Sequence, residues 1–195
     1  MTWQFIQAAG YYPGRKRNGD ATKARLLVIH DMEVRDSALT AENVARVFAR
    51  DARASAHFTV DQDSIVQCVS VNDTAWAAPH ANSDGIHFEL AGYARHTRAR
   101  WLECEPVLNM AALAVAEVVD RMRVLGVPVK VARLTPTQIS QPGGPAGLCG
   151  HVDVTAAYHT GGGHTDPGPN FPWDMFLPKV QWWLGHGAKG RVDFR

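Results

Sequence analysis

The order of apolar and polar residues predicts a sheet of several short strands. LLVIH, residues 26–30, is a continuous apolar run that ends in a polar side chain, as in a strand buried on both faces. HFTVDQDSIVQCVS alternates around the turn-like DQDS and predicts a hairpin of two strands, while GIHFEL predicts a further strand. VPVKVARL is expected to add a last short strand. Together these segments predict a mixed sheet.

Three other segments are predicted to be helical. ALTAENVARVFARDA, residues 38–52, predicts an amphipathic helix with Thr40 as its N-cap and Leu39 as a hydrophobic staple. Residues 105–125 carry one broad apolar face and end before a Gly and a Pro, which predicts a long helix packed across the sheet. PWDMFLPKVQWWL is the third candidate, and we expect Pro178 to interrupt it.

The remaining segments are rich in glycine, proline or polar residues and are predicted to be irregular. Residues 1–24 form an irregular N-terminal segment, and residues 185–195 form a tail or linker. TPTQISQPGGPAGLCG and the following GHVDVTAAYHTGGGHTDPGPNFPW are predicted as loop. The fold class expected is therefore α/β, a single domain over residues 25–184 with helices flanking a mixed sheet.

Composition narrows the range of partners. With 195 residues and 46% hydrophobic content, the chain suits one buried core, and a net charge of +1 from interspersed charges predicts no binding to nucleic acid and no stable membrane association. The first residues lack the pattern of a signal peptide, which predicts synthesis in the cytoplasm. Three widely spaced cysteines predict buried free thiols rather than a disulfide framework or a cysteine zinc site.

Three potential metal ligands stand out along the chain. His30 follows the apolar run, His151 follows a Pro/Gly loop, and Asp166 lies in TDPGP. A hydrolytic zinc site usually has three nitrogen or oxygen ligands and an open fourth position. Most single histidines are hydrogen-bonded surface or core residues instead. Spacing alone leaves both interpretations open.

Four ordered motifs resemble one family. LLVIHDME, ASAHFTVDQDSIVQCVSVNDTAW, IHFELAG and GHVDVTAAYHTGGGHTDPGPNFPW, spread over residues 25–177, are similar to the signatures of the zinc N-acetylmuramoyl-L-alanine amidases, the type 2 amidase and peptidoglycan recognition protein family. The resemblance implies a Zn²⁺ ion bound by His30, His151 and Asp166 in a surface groove. It also implies hydrolysis of the amide between N-acetylmuramic acid and L-alanine, with peptidoglycan as the partner.

The same resemblance suggests two catalytic residues. The family glutamate of a motif similar to IGIEL falls on Glu89 in IHFEL, where a carboxylate beside the attacking water acts as general base. Alternation along this strand directs His87 and Glu89 towards the groove and the apolar residues between them towards the core. His164 stands two residues before the third ligand, where many relatives have a lysine or histidine that polarises the scissile carbonyl. Ala56 replaces the tyrosine of relatives that lack the glutamate, which favours the glutamate-using branch.

Several further polar residues lie in or near these motifs. Trp76, Asn82 and His57 are candidate contacts for sugar or peptide, with His57 in the wall of the groove or in the core. Asp153 is expected to be a structural carboxylate that orients its neighbours. The histidine that relatives carry directly after the tryptophan is absent, and His80 receives no role. His96, His159 and His186 are expected to be solvated.

The activity favoured is that of a phage endolysin catalytic domain, made in the host cytoplasm and acting on the cell wall after release. A cytosolic amidase that recycles wall fragments fits the absent signal peptide equally well. A recognition protein that binds peptidoglycan without cutting it is less favoured, because such proteins typically lose a ligand. A zinc peptidase unrelated to the family is the remaining alternative.

Overall fold

A six-stranded mixed sheet forms the centre of the computed structural model, which describes residues 2–13, 24–159 and 163–187. The strands are β1 (Thr2–Phe5), β2 (Tyr11–Tyr12), β3 (Leu26–Asp31), β4 (Phe58–Val60), β5 (Ser64–Gln67), β6 (Thr74–Ala75), β7 (Gly85–Leu90) and β8 (Gly147–Gly150). The large sheet has the order β1-β5-β4-β7-β3-β8, and β2 pairs with β6. Strands β4, β7, β3 and β8 are parallel, whereas β5 is antiparallel to β4. The predicted mixed sheet and hairpin are confirmed.

Helices cover both faces of the sheet. They are α1 (Thr40–Phe48), α2 (Arg98–Glu103), α3 (Glu105–Val124), α4 (Pro136–Ser140), α5 (His151–Tyr158) and α6 (Trp173–His186). Along β3, Leu27 and Ile29 pack in the main core with α3 and α6, while Leu26 and Val28 pack on the other face with α4 and α5. This two-sided burial explains why β3 is an unbroken apolar run. The predicted α/β fold class and long helix are confirmed.

The N-terminal segment is more ordered than predicted. β1 pairs with β5 in parallel, with Thr2 opposite Ser64, and β2 adds an antiparallel pair with β6. The prediction that residues 1–24 are irregular is therefore wrong over β1 and β2. TWQF is too short and too polar to reveal a strand by alternation, because its burial depends on a partner far along the chain. Residues 14–23 and the tail over 188–195 lie outside the described residues.

The start of α1 also differs from the prediction. Leu39 occupies the N-cap in a left-handed conformation with φ 83°, and Thr40 makes no cap hydrogen bond. Instead, the Ala41 amide donates to Asp61 Oδ2 at 2.8 Å. A carboxylate from the β4–β5 turn thus provides the hydrogen bond that the sequence assigned to the threonine, and it satisfies an amide at the positive end of the helix.

Near β8 the predicted strand is irregular, and two segments predicted as loop are regular elements. VPVKVARL contains no strand and contacts β8 through an isolated bridge between Arg133 and Leu148, whereas GLCG, predicted as loop, is the strand itself. HVDVTAAY, also predicted as loop, is helix α5. α6 continues through Pro178 to His186, so that neither the predicted interruption nor a tail starting at 185 is correct. Packing of Phe176 and Val180 in the main core holds this helix.

The three cysteines are buried free thiols, as predicted. Burial raises the pKa of the Cys68 thiol to about 12 and raises the pKa of Cys149 well above its ordinary value. Neither thiol is therefore a reactive thiolate near neutral pH. Within the described residues, no helix combines the length and apolar character needed to cross a bilayer.

Candidate active site

Parallel strands bring the first polar groups of the site together. In the β3–β7 register His30 is opposite Glu89, and in the β3–β8 register Ile29 is opposite Gly150. The residue after Gly150 is His151, the first residue of α5, which therefore lies level with His30. The carboxyl ends of parallel strands meet at one edge of a sheet, where α/β proteins commonly bind ligands.

A loop held by its backbone delivers Asp166 to the same edge. The Val152 amide donates to the Asp166 carbonyl at 2.9 Å, and the Gly168 amide donates to the Thr165 carbonyl at 2.8 Å. Gly168 has φ +92°, and a Cβ at this position would overlap the Ala94 carbonyl. Only glycine fits this close approach, which fixes the backbone on the C-terminal side of Asp166.

His30, His151 and Asp166 form one compact cluster. His30 Nδ1 lies 2.9 Å from Asp166 Oδ2, and His151 Nδ1 lies 3.3 Å from Asp166 Oδ1. One potential ligand atom from each residue lies within 4.8 Å of the other two. Both histidines are almost completely buried and the carboxylate is half-buried. Two imidazole nitrogens and a carboxylate oxygen are the donor types that zinc prefers, and three of them leave a fourth position open.

The charge states of the cluster suit a cation. Burial lowers the pKa of His30, although the hydrogen bond from its ring to Asp166 partly opposes this effect, so the ring is neutral near pH 7. Burial alone would raise the pKa of Asp166, but hydrogen bonds from His151 and His30 outweigh it and hold the pKa below its usual range. Neutral imidazole and ionised carboxylate are the forms that bind metal.

The cluster lies in a cavity of about 320 Å³ that is rich in carboxylates. Its lining includes Glu89, Asp31 and Glu33 in addition to the three clustered residues. Burial, followed by the nearby charges of Asp166 and Asp31, raises the pKa of Glu89 well above its ordinary value. Burial also raises the pKa of Asp31 to about 7. Repulsion among these carboxylates is the electrostatic condition that a bound cation relieves.

Asp31 and Glu33 are site residues that sequence reasoning missed. Asp31 Oδ1 accepts a hydrogen bond from the Glu33 amide at 3.1 Å, while its buried Oδ2 has no hydrogen-bond partner among the described residues. Glu33 Oε1 accepts from the Ala94 amide at 2.9 Å and so joins two walls of the cavity. Their position just after His30 in HDME could have revealed them, because residues at the end of a central strand lie at the same edge of the sheet as the cluster.

His164 lies at the mouth of the cavity. Its ring stacks on the His151 ring with centroids 4.0 Å apart, and its Nδ1 lies 3.9 Å from Asp166 Oδ1. The side chain is 53% exposed, compared with 5% for His151. This greater distance and exposure distinguish His164 from the three clustered residues, although all four line the same cavity.

Asp153 supports the helix that carries His151. Its Oδ2 accepts from the Gly150 amide at 2.8 Å, and Arg133 binds both carboxylate oxygens at 3.0 and 2.8 Å. The carboxylate therefore caps α5 and ties it to the 127–134 segment. These contacts agree with the predicted structural role.

Replacing Asp153 with alanine is expected to lower the free energy of unfolding by about 2 kcal/mol, from the lost cap and the lost hydrogen bonds of a largely buried carboxylate to the partly exposed Arg133. Chemical denaturation measures this loss. Asp174→Ala is the matched control, because Asp174 makes the same two-bond contact with Arg98 but is exposed. Exposed pairs contribute little to stability. Equal losses in the two variants would show that the cap is unimportant.

The structure corrects the predictions for His57 and His87. His57 is fully buried and does not line the cavity, so it is not a substrate contact. Its Nδ1 accepts from the His87 amide at 3.0 Å, and its Nε2 lies 3.2 Å from the Asp73 carbonyl. His87 shares a sheet face with Glu89, as alternation predicted, but it is fully buried behind His30 rather than open to the groove.

Trp76 and Asn82 line a different, smaller cavity of about 210 Å³ together with Tyr12 and His80. Asn82 Oδ1 accepts from the Ala77 and Ala78 amides at 2.9 and 2.7 Å, so this oxygen holds the loop in shape. Ala77, the neighbour of Trp76, lines the cavity that contains His30, His151 and Asp166. The two cavities therefore border the same loop at adjacent residues, which leaves Trp76 as the better candidate contact.

The other histidines differ in exposure. His159 and His186 are exposed, as predicted. His96 is half-buried and packs edge-on against Trp101 with ring centroids 5.2 Å apart, so the prediction that it is solvated is wrong. Burial, followed by the charge of Arg100, lowers the pKa of His96. His80 is exposed and stacks on Tyr158 at 5.2 Å.

Solved structures with the same fold include a hydrolase, an endolysin and AmpD. The Staphylococcus aureus hydrolase AmiA, solved with its ligand, has a TM-score of 0.65 at 19% identity, covering 95% of this chain and 86% of that one. A mutant endolysin from Bacillus subtilis has a TM-score of 0.59 at 16% identity, covering 92% and 99%. AmpD has a TM-score of 0.57 at 20% identity, covering 91% and 93%. At these identities the likeness establishes the fold.

A family model establishes the relationship by sequence. No curated protein matches the chain. The model for N-acetylmuramoyl-L-alanine amidase matches residues 20–169, a span that includes β3, β7, β8 and every member of the cluster. The fold, the position of the cluster and this match agree with one another. The chain belongs to the N-acetylmuramoyl-L-alanine amidase family, whose members hydrolyse an amide bond of peptidoglycan.

Proposed function

We propose that this chain is a zinc-dependent amidase that cleaves the bond between the lactyl group of N-acetylmuramic acid and L-alanine, with His30, His151 and Asp166 as the zinc ligands. The convergence of these three side chains at the base of one cavity is the observation that carries the proposal. The donor set fits zinc, because it combines two imidazole nitrogens with one carboxylate oxygen. When bound, Zn²⁺ supplies a Lewis acid and a positive charge that favours ionisation of nearby water and carboxylates.

Glu89 is the proposed general base. It lies opposite His30 in the sheet and lines the cavity, and no hydrogen bond to another described residue occupies its carboxylate. The carboxylate accepts a proton from the attacking water and returns a proton to the leaving amine of L-alanine. Its half-buried position shields this proton from bulk solvent.

His164 is the proposed hydrogen-bond donor to the oxygen of the scissile carbonyl. His164 stacks on His151 at the mouth of the cavity, where it can reach a bound substrate. A hydrogen bond from its ring would stabilise the carbonyl oxygen as that oxygen becomes negative during the reaction. Buried donors of this kind are worth a hundredfold or more, but the 53% exposure of His164 implies stronger solvent screening and a smaller contribution.

His164→Ala is expected to remain folded and zinc-loaded while turnover falls about tenfold with little change in KM, because the donor acts mainly in the transition state. His164→Lys restores a donor and should recover part of the rate. Steady-state kinetics and metal analysis of both variants provide the measurement. Unchanged turnover in His164→Ala would make the residue an ordinary surface histidine, and loss of zinc would make it a ligand.

We further propose that the enzyme acts on intact cell walls as a phage endolysin catalytic domain. The fold is shared with an endolysin, but also with AmpD and AmiA at comparable TM-scores, so the fold does not distinguish an endolysin from a recycling amidase. The two differ in whether the substrate is an intact wall or a soluble fragment. The cavity opens to the surface, and Trp76 beside it offers an aromatic side chain for sugar or peptide.

Mass spectrometry of digested peptidoglycan tests both parts of this function. The purified protein is incubated separately with intact sacculi and with soluble muropeptides. The proposal predicts complete stem peptides with a new L-alanine N-terminus released from sacculi. Release from soluble fragments alone would indicate a recycling amidase, and shortened stem peptides a peptidase. Binding to sacculi without release would indicate a recognition protein.

A further inference from the structure

His87 lies directly behind His30, on the side away from the cavity. Its Nδ1 is 3.1 Å from His30 Nε2, whereas His30 Nδ1 faces Asp166 at 2.9 Å. The two nitrogens of the His30 ring therefore have different partners, one in the cluster and one in the core. His87 is fully buried, so no water competes for this contact.

An imidazole that binds a metal through one nitrogen carries its proton on the other, and a hydrogen-bond acceptor for that proton fixes the tautomer and the ring orientation. We propose that His87 is this acceptor, a positioning residue whose Nδ1 receives the Nε2 proton of His30. His30 then presents an unprotonated Nδ1 to the metal. This inference rests on the proposed function, since it assigns His30 to the zinc site.

The surroundings of His87 hold its ring in place for this role. The His87 amide donates to His57 Nδ1 at 3.0 Å, and the two rings stack with centroids 5.6 Å apart. The Asp73 carbonyl can only accept, so His57 Nε2 must donate to it, which leaves His57 Nδ1 as an acceptor. His57 is therefore a neutral histidine that anchors the backbone of His87.

Gly85 provides the space that the His87 ring occupies. A Cβ at Gly85 would lie 2.8 Å from His87 Nε2, closer than two such atoms can approach. Both residues lie on the same face of β7, two positions apart, and a Cβ at 85 would overlap the Ala81 carbonyl oxygen as well as the ring, so only glycine fits beside His87 here. The IGIEL motif has glycine where this chain has His87, so the family pattern assigns no role to this position.

Zinc affinity of His87 variants tests the proposal without depending on activity. His87→Leu removes the acceptor, and His87→Asn keeps an oxygen near the position of Nδ1. Competition with a chromophoric chelator should show about tenfold to hundredfold weaker zinc binding in His87→Leu, with most of the loss recovered in His87→Asn. His186→Leu, an exposed histidine away from the cluster, should bind zinc like the wild type.

The tautomers of the wild-type protein provide a second measurement, which decides the question even if His87→Leu does not fold. Nitrogen chemical shifts of the zinc-loaded protein should show His30 protonated at Nε2 and His87 unprotonated at Nδ1. Wild-type affinity in His87→Leu, equal losses in the two variants, or a protonated His87 Nδ1 would overturn the proposal. Wild-type protein that binds no zinc would instead contradict the proposed function itself.

Discussion

Asp166→Ala is expected to lose both bound zinc and amidase turnover. Asp166 lies between the two histidines and contacts the Nδ1 atom of each, so its removal takes away one ligand and the group that faces the other two. Two remaining imidazoles bind zinc far more weakly than a complete three-ligand set. His30→Ala and His151→Ala should behave in the same way.

Metal analysis after extensive dialysis measures this effect directly. Asp174→Ala serves as the control, because it removes an exposed aspartate from the start of α6. The wild type and the control should retain zinc, and the three ligand variants should not. Tightly held zinc in Asp166→Ala, together with its loss from His164→Ala, would show that His164 rather than Asp166 is the third ligand.

Glu89→Gln is expected to keep its fold and its zinc but to lose at least about a hundredfold in turnover. The amide can still hydrogen-bond to water, but it cannot accept the proton that leaves when water attacks the substrate. Glutamine has nearly the same size, so the packing of β7 is preserved.

Comparison with Glu33→Gln isolates the role of Glu89. Glu33 lines the same cavity and also bears a carboxylate, but it contacts the Ala94 amide and Arg95 at the rim. We expect Glu33→Gln to retain most of the wild-type rate. Full activity in Glu89→Gln, or equal losses in the two variants, would exclude Glu89 as the general base.

Much of the central sheet follows from local sequence patterns. LLVIH and GIHFEL correspond to β3 and β7, and the apolar face between residues 105 and 125 corresponds to α3. In each case the pattern is present in the segment itself: a continuous apolar run in β3, alternating polar and apolar residues in β7, and an apolar face of helical period in α3. Elements fixed by distant contacts were not predictable in this way.

β8 and α5 are elements that depend on distant contacts. GLCG has two glycines in four residues, yet it is a strand because β3 provides a parallel partner along its length. HVDVTAAY has no clear apolar face, and it is helical because Asp153 caps its start and α4 packs against it. The capping of α1 by Asp61 likewise depends on a contact between residues 20 positions apart.

The candidate site was predictable mainly through family resemblance. Spacing alone did not separate His30, His151 and Asp166 from the other histidines and carboxylates, because the chain brings them together only after the strands align. Alternation placed His87 on the correct face of β7, but it did not reveal that His30 would cover it. The burial of His57, which directly precedes β4, was not fixed by pattern either, because a polar residue beside a strand gives no sign of its partners.

Zinc titration of metal-free protein tests the central claim most directly. Amide hydrolysis is followed while zinc is added to the chelator-treated wild type and to Asp166→Ala. A zinc-dependent mechanism predicts that wild-type activity rises from near zero and saturates at about one zinc per chain, as expected for a single three-ligand site. Asp166→Ala should stay inactive over the same range. Full activity of the metal-free wild type, or equal recovery of both proteins, would contradict it.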